Sequence, residues 1–129
     1  MKNKKPTIVL IDDKECSKML LDSKVLTDKI NIIPAHTGKD GIKMIFKHKP
    51  DLIISDVVVP KGDIFFITDA IKRESELKDI PEIAFSYLCS AEDEKEVRKS
   101  GVCDYIKKHE CSPEKLAKKI LKALKLKCK

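Results

Sequence analysis

Thr7-Ile8-Val9-Leu10-Ile11-Asp12-Asp13 and Leu52-Ile53-Ile54-Ser55-Asp56 are the two stretches that decide the fold of this chain. Each is a short continuous apolar run that stops at carboxylates. Such runs, bounded by polar residues, read as strands buried on both faces of a parallel sheet. Sheets of this kind carry their ligands at the carboxyl ends of the strands. Two such ends side by side would gather Asp12, Asp13 and Asp56 on one rim. Clustered carboxylates repel one another, and a hard cation such as Mg²⁺ relieves the repulsion. The expectation is an acidic, Mg²⁺-binding pocket.

On both sides of these runs, strand-like and helix-like segments alternate. Strands are expected near residues 7–11, 30–35, 51–55, 80–86 and 102–106, and helices near 14–28, 38–48, 64–76, 91–100 and 112–126. Thr37-Gly38-Lys39-Asp40 and Ser90-Ala91-Glu92-Asp93 fit the capping box, and Ser112-Pro113 sets a cap before a first-turn proline. The segment at 112–126 puts Leu116, Ala117, Ile120, Leu121 and Leu124 on one face and its lysines elsewhere, as a helix laid on a sheet does. Five βα units with right-handed crossovers predict an α/β fold, a doubly wound five-stranded parallel sheet of the flavodoxin-like order 2-1-3-4-5. In that order the switch point lies between the strands that end in Asp12-Asp13 and Asp56.

With 129 residues, the length suits one domain with one good core;. No apolar run approaches membrane-spanning length, and Met1-Lys2-Asn3-Lys4-Lys5 is followed only by a strand-length stretch, so neither signal peptide nor anchor is expected and the cytoplasm is. Cys16, Cys89, Cys103, Cys111 and Cys128 are scattered without a C-x-x-C pair; an odd count without a secretory signal reads as free, inert thiols. The net charge of +6 would suit nucleic acid, but the charge is nearly all lysine spread over helical faces. Arg73 and Arg98 are the only arginines, which argues against direct nucleic-acid binding.

The third strand continues as Asp56-Val57-Val58-Val59-Pro60-Lys61-Gly62-Asp63. The fourth ends Ile83-Ala84-Phe85-Ser86, and the fifth runs Val102-Cys103-Asp104-Tyr105-Ile106 into Lys107-Lys108. From Ile8 to about Leu124 the chain resembles the response-regulator receiver domain (CheY-like) of two-component signalling, and 1–129 is expected to be a single receiver domain with no output domain. The resemblance rests on the order and spacing of Asp12-Asp13, Asp56 with Pro60, Ser86, Tyr105 and Lys108. It implies that Asp56 is the phosphoacceptor, taking a phosphoryl group from a sensor histidine kinase, a phosphotransfer protein or a small donor. It implies that Asp13 ligates Mg²⁺ with Asp12 assisting, together with Asp56 and the Val58 carbonyl. Lys108 would pair with the phosphoryl oxygens, Ser86 would hydrogen-bond them, and Tyr105 would be the switch that turns inward when Ser86 moves. The chain would be no enzyme beyond its own phosphoryl transfer and slow dephosphorylation. Its signal would leave through the face of the helix at 91–100, the fifth strand and the helix at 112–126, to a downstream effector or a covalently linked output domain.

The chemistry of the residues agrees. A carboxylate can be the nucleophile of phosphoryl transfer, which otherwise needs positioning and charge neutralisation. Singly, Asp13 reads equally as a helix cap and Asp56 as a turn residue. Three carboxylates, a lysine and a hydroxyl on one rim read as a site.

Departures from the family pattern set further expectations. His109 stands where the family has proline after a cis bond; a cis bond before a non-proline costs about 2.5–4 kcal/mol. Some loss of Lys108 positioning is expected, with His109 facing water. Val59 replaces the usual methionine, and Gly62-Asp63-Ile64 alters the usual aspartate-glycine. Val58 and Leu88 stand where polar residues orient the hydrolytic water, and Tyr87 where a small residue is common, so slow self-hydrolysis is expected. The principal alternative is a pseudo-receiver, a phosphorylation-independent interaction module, supported by His109 and Tyr87. An FMN binder is disfavoured because Asp12-Asp13-Lys14-Glu15 would repel a phosphate. A haloacid-dehalogenase-type hydrolase would need a second aspartate two residues after the first, which Asp56-Val57-Val58 lacks.

Overall fold

The computed structural model describes residues 5–87 and 90–126. Leu88, Cys89 and Cys128, as well as residues 1–4, lie outside the described residues. The elements run β1 (Thr7–Ile11), α1 (Lys14–Leu21), α2 (Lys24–Thr27), β2 (Asn31–Ala35), α3 (Gly38–His48), β3 (Leu52–Ser55), α4 (Ile64–Lys72), β4 (Glu82–Ser86), α5 (Ala91–Lys99), β5 (Asp104–Lys107), a 3₁₀ turn (Lys108–Glu110) and α6 (Pro113–Leu126). All strand pairs are parallel and the order is β2-β1-β3-β4-β5, as the alternation of elements predicts.

The pleat divides the core in two. Ile8, Leu10, Leu52, Ile54, Ile83, Phe85 and Ile106 face the layer of α1, α2 and α6. Val9, Ile11 and Ile53 face Ile45 of α3 and Ile67 and Ile71 of α4. Strands buried on both sides have no polar face to alternate with, which is why β1 and β3 read as unbroken apolar runs. β2 is an edge strand, and Pro34 sits there without breaking an interior ladder;.

The expected caps form. Asp40 N–H donates to Thr37 Oγ1, Asp93 N–H to Ser90 Oγ and Lys115 N–H to Ser112 Oγ. The helix expected over 14–28 is instead two. Ser23 takes an extended backbone (ψ 113°), and its carbonyl accepts from Thr27 N–H and Thr27 Oγ1. The break lets Leu26 bury completely in the layer shared with α6. The helix expected over 64–76 stops at Lys72, because the chain turns on the Glu74 carbonyl to bury Leu77. Free thiols are found at Cys16 and Cys111, but Cys103 is disulfide-bonded, correcting the expectation for that residue. Spacing along a chain does not tell which thiols a fold brings together.

Candidate functional site

Residues alternate across a strand with a period of two, and the alternation carries past the strand ends. Asp12 continues the series Ile8, Leu10; Asp56 continues Leu52, Ile54; Lys108 follows Ile106. All three therefore emerge at the carboxyl rim on the α1/α6 side. Backbone bonds from Asp12 N–H to the Ala35 carbonyl and from Asp56 N–H to the Ile11 carbonyl extend the ladders to hold the rim in register.

Lys108 Nζ donates to Asp12 Oδ1 at 2.8 Å and to Asp56 Oδ2 at 2.9 Å. Asp12 Oδ1 also accepts from Asp13 N–H, and Asp56 Oδ1 from Val57 N–H at 2.7 Å. The Asp12 and Lys108 side chains are 0% and 3% exposed, while that of Asp56 is 18% exposed. Asp56 is thus the one carboxylate of the trio that an incoming group can reach.

Burial pulls the Lys108 ammonium towards neutrality, but its bonds to the two carboxylates outweigh that and hold its pKa above the ordinary lysine value. Burial pushes Asp12 up; Lys108 opposes this, the Asp56 charge adds to it, and the net shift is upward. Two carboxylates sharing one ammonium carry a net negative charge, and the next cation or proton to arrive is bound by that excess.

The other expected residues divide. Ser86 is buried at the end of β4, and Tyr105 is buried among Val57, Ile64, Ala84, Val97 and Val102. Both lie on the sheet face opposite Lys108, with Ala84 beside Tyr105 in the register. Tyr105 already occupies the inward position. Asp13 is exposed and its Oδ1 accepts from Cys16 N–H at 2.7 Å, so it acts as the cap of α1. The Val58 side chain is exposed in the loop after β3. No cis peptide occurs among the described residues, so the bond before His109 is trans. A 3₁₀ turn takes up the difference, and Lys108 still reaches both carboxylates, which corrects the expected loss of positioning. His109 is half exposed with Nε2 at 3.6 Å from Glu110.

Several features of the site were not legible in the sequence. The Lys108 ammonium lies 5.5 Å from the Phe85 ring centre and 5.1 Å from that of Tyr87, within cation–π range;. His36 Nδ1 lies 2.9 Å from the Asp12 carbonyl; a carbonyl only accepts, so this nitrogen carries the proton. Burial, with the Asp12 charge adding to it, pushes the Cys16 thiol pKa up to about 12. Finally, the amino end of α3 staples the loop after Asp56: Gly38 N–H donates to the Pro60 carbonyl and Lys39 N–H to that of Lys61. Only a glycine at 38 allows this approach, because a Cβ would run into the Gly62 carbonyl;.

The donor set suits a hard cation: oxygens only, with Asp12 Oδ2 buried, ion-paired to Lys108 and otherwise without a hydrogen bond;. Among the described residues no three carboxylate, imidazole or thiol side chains stand together as a metal-holding group. The Lys108 ammonium occupies that role between Asp12 and Asp56.

The profile of the response regulator receiver domain family matches residues 8–121. The polar-differentiation response regulator DivK of Brucella anthropi is 26% identical over 102 residues, which span 79% of this chain and 83% of that protein. Among solved structures, the chemotaxis response regulator CheY4 of Vibrio cholerae superposes with a TM-score of 0.82 at 23% identity, covering 92% of this chain and 98% of that one. The receiver domain of a Pseudomonas aeruginosa sensor histidine kinase, which has a magnesium ion coordinated in its active site cleft, gives a TM-score of 0.82 at 16% identity, covering 95% and 99%.

Proposed function

We propose, for a chain that belongs to the response regulator receiver domain family, that Asp56 is its phosphoacceptor and that phosphorylation switches the α5–β5–α6 surface. The observation that carries this reading is the Lys108 ammonium bridging Asp12 and the more accessible Asp56 at the carboxyl rim.

An Asp56 carboxylate oxygen attacks phosphorus as the bond from phosphorus to the donor, a histidine imidazole nitrogen or a small-molecule oxygen, breaks. An aspartyl-phosphate forms and the donor leaves with the bonding pair. Lys108, already 2.9 Å from Asp56 Oδ2, moves with the transferred oxygens and meets their charge;. Asp12, Asp56 and the Val58 carbonyl would hold Mg²⁺, with Asp13 joining by releasing the α1 cap, and the ion would supply charge neutralisation at the phosphoryl oxygens. The product adds a charge of about −1.5 to −2 at the rim. Ser86, at the end of β4, would donate to it, and Tyr105 would then keep the inward position beneath α5. Partners would be a histidine kinase or phosphotransfer protein upstream and an effector or output domain downstream. Catalysis is confined to the chain's own phosphoryl transfer and its slow loss. Among the described residues no helix is long and apolar enough to cross a membrane.

The test is intact-mass spectrometry after incubation with a small phosphodonor, with and without Mg²⁺, on the native chain and Asp56→Asn. A Mg²⁺-dependent gain of one phosphoryl mass, lost in the variant, is expected. No gain in a folded protein would favour the phosphorylation-independent module, for which the outward, cap-bound Asp13 is the supporting observation.

A further inference from the structure

The parallel ladder between β1 and β2 ends in an exchange of partners. Asp12 N–H donates to the Ala35 carbonyl at 3.0 Å, one step past the last strand residues. The next rung of such a ladder would run from Thr37 N–H to the Asp12 carbonyl. Among the described residues Thr37 N–H forms no such bond, and Thr37 serves instead as the N-cap of α3. The half-buried His36 imidazole takes the place of the missing rung, with Nδ1 2.9 Å from the Asp12 carbonyl. Asp13 N–H, at the other end of the same peptide, donates to Asp12 Oδ1. The peptide that joins the two carboxylates is therefore held at both of its polar ends. The residues that follow clamp the other loop of the site. Gly38 N–H donates to the Pro60 carbonyl at 2.9 Å and Lys39 N–H to the Lys61 carbonyl at 3.0 Å, just past Val58 in the chain.

We propose that His36 is a positioning residue for the cation site, the first member of a bracket, residues 36–39, that sets the spacing between the Asp12–Asp13 loop and the Asp56–Val58 loop. The inference rests on the Mg²⁺ reading given above, in which every protein ligand comes from one of these two loops. His36 acts through the Asp12 main chain and not on the ion. Mg²⁺ demands near-ideal octahedral geometry, so oxygens from both loops must stand at bonding distance together. A bracket that holds no ligand itself still decides whether they do. With the shared peptide fixed, Asp13 would leave its cap and turn inward by side-chain rotation alone. The imidazolium carries a proton on both nitrogens, so the bond to the Asp12 carbonyl is the same in the neutral Nδ1–H and charged forms.

Mg²⁺ is titrated calorimetrically into the full chain without a phosphodonor, on wild type, His36→Ala and His36→Asn. Groups that orient metal ligands from behind are worth about 10–100-fold in affinity, so His36→Ala should weaken Mg²⁺ binding about tenfold. His36→Asn places an amide N–H near the position of Nδ1 and should restore most of that loss. If His36→Ala fails to fold by circular dichroism, His36→Leu, which keeps the bulk and lacks the donor, carries the comparison. Long-range ¹⁵N–¹H spectra of the metal-free chain at mildly alkaline pH should show the His36 proton on Nδ1. A merely structural histidine would lower urea stability and leave the affinity of the folded variant unchanged. Wild-type affinity in folded His36→Ala, no recovery in His36→Asn, or a proton on Nε2 would overturn the proposal while leaving the Mg²⁺ reading in place. No Mg²⁺ uptake by the wild-type chain would sink that reading and this one with it.

Discussion

Replacing Glu82 with glutamine should remove a pH-dependent weakness from this fold. Glu82 opens β4 and is 6% exposed. Thr68 Oγ1 lies 2.8 Å from both the Ile64 carbonyl and Glu82 Oε1. A hydroxyl has one proton, so Thr68 cannot donate fully to both, and its bond to Oε1 offsets only part of the cost of burying the carboxylate;. Burial is the dominant cause, outweighing the Thr68 bond and the Lys72 charge, and raises the Glu82 pKa from 4.5 to about 7. Lys72 offers little relief, since its ammonium bonds to the Ser100 carbonyl. Oε2 has no hydrogen-bond partner, so ionisation would leave a poorly solvated charge.

Because the folded pKa lies above the unfolded one, the folded state holds the extra proton between them. The stabilisation is full below about pH 4.5, falls as pH rises, and is gone above about pH 7;. About 2.5 units at 1.36 kcal/mol each makes this about 3 kcal/mol. Urea unfolding followed by circular dichroism at pH 4 to 8.5 is the assay, on wild type and Glu82→Gln. Groups common to both proteins cancel in the difference. Wild type should lose about 3 kcal/mol relative to the variant across the range. A difference that stays flat with pH would refute the neutral-acid reasoning.

Lys108→Ala leaves buried Asp12 facing Asp56 without its cation, and should cost about 3–5 kcal/mol near neutral pH. Thermal melts should show part of that loss recovered by added Mg²⁺, and full wild-type stability without it would count against the bridge. Gly38→Ala should cost about 1–3 kcal/mol by forcing α3 away from the Pro60–Lys61 carbonyls, and urea titration would read it. The phosphorylated state should persist for minutes or longer in Mg²⁺ buffer, because apolar Val58 cannot orient an attacking water. Val58→Asn should shorten that lifetime several-fold by the same mass measurement, and a wild-type half-life of seconds would sink the idea.

The sequence by itself determined the architecture and the candidate residues gathered at its carboxyl rim. Two short apolar runs rich in β-branched residues read as strands buried on both faces, and their alternation with amphipathic segments calls for crossovers, a parallel sheet and a switch point. Because Asp12 and Asp56 directly follow those runs, their place at the carboxyl rim was legible before any coordinates. Period-two alternation likewise points Lys108 to the side they share. What only the tertiary structure decided are contacts between residues with no periodic relation. Lys108 meets Asp12 across 96 positions of chain, and a 3₁₀ turn, which His109 did not announce, preserves that meeting. Asp13 faces outward because a helix N-terminus has unpaired N–H groups to satisfy, a local demand that competes with the pocket;. The break at Ser23 follows from how helices of particular length pack on the sheet. The raised pKa of Glu82 follows from burial. Burial and through-space contact depend on the assembled fold, and linear spacing carries no record of either.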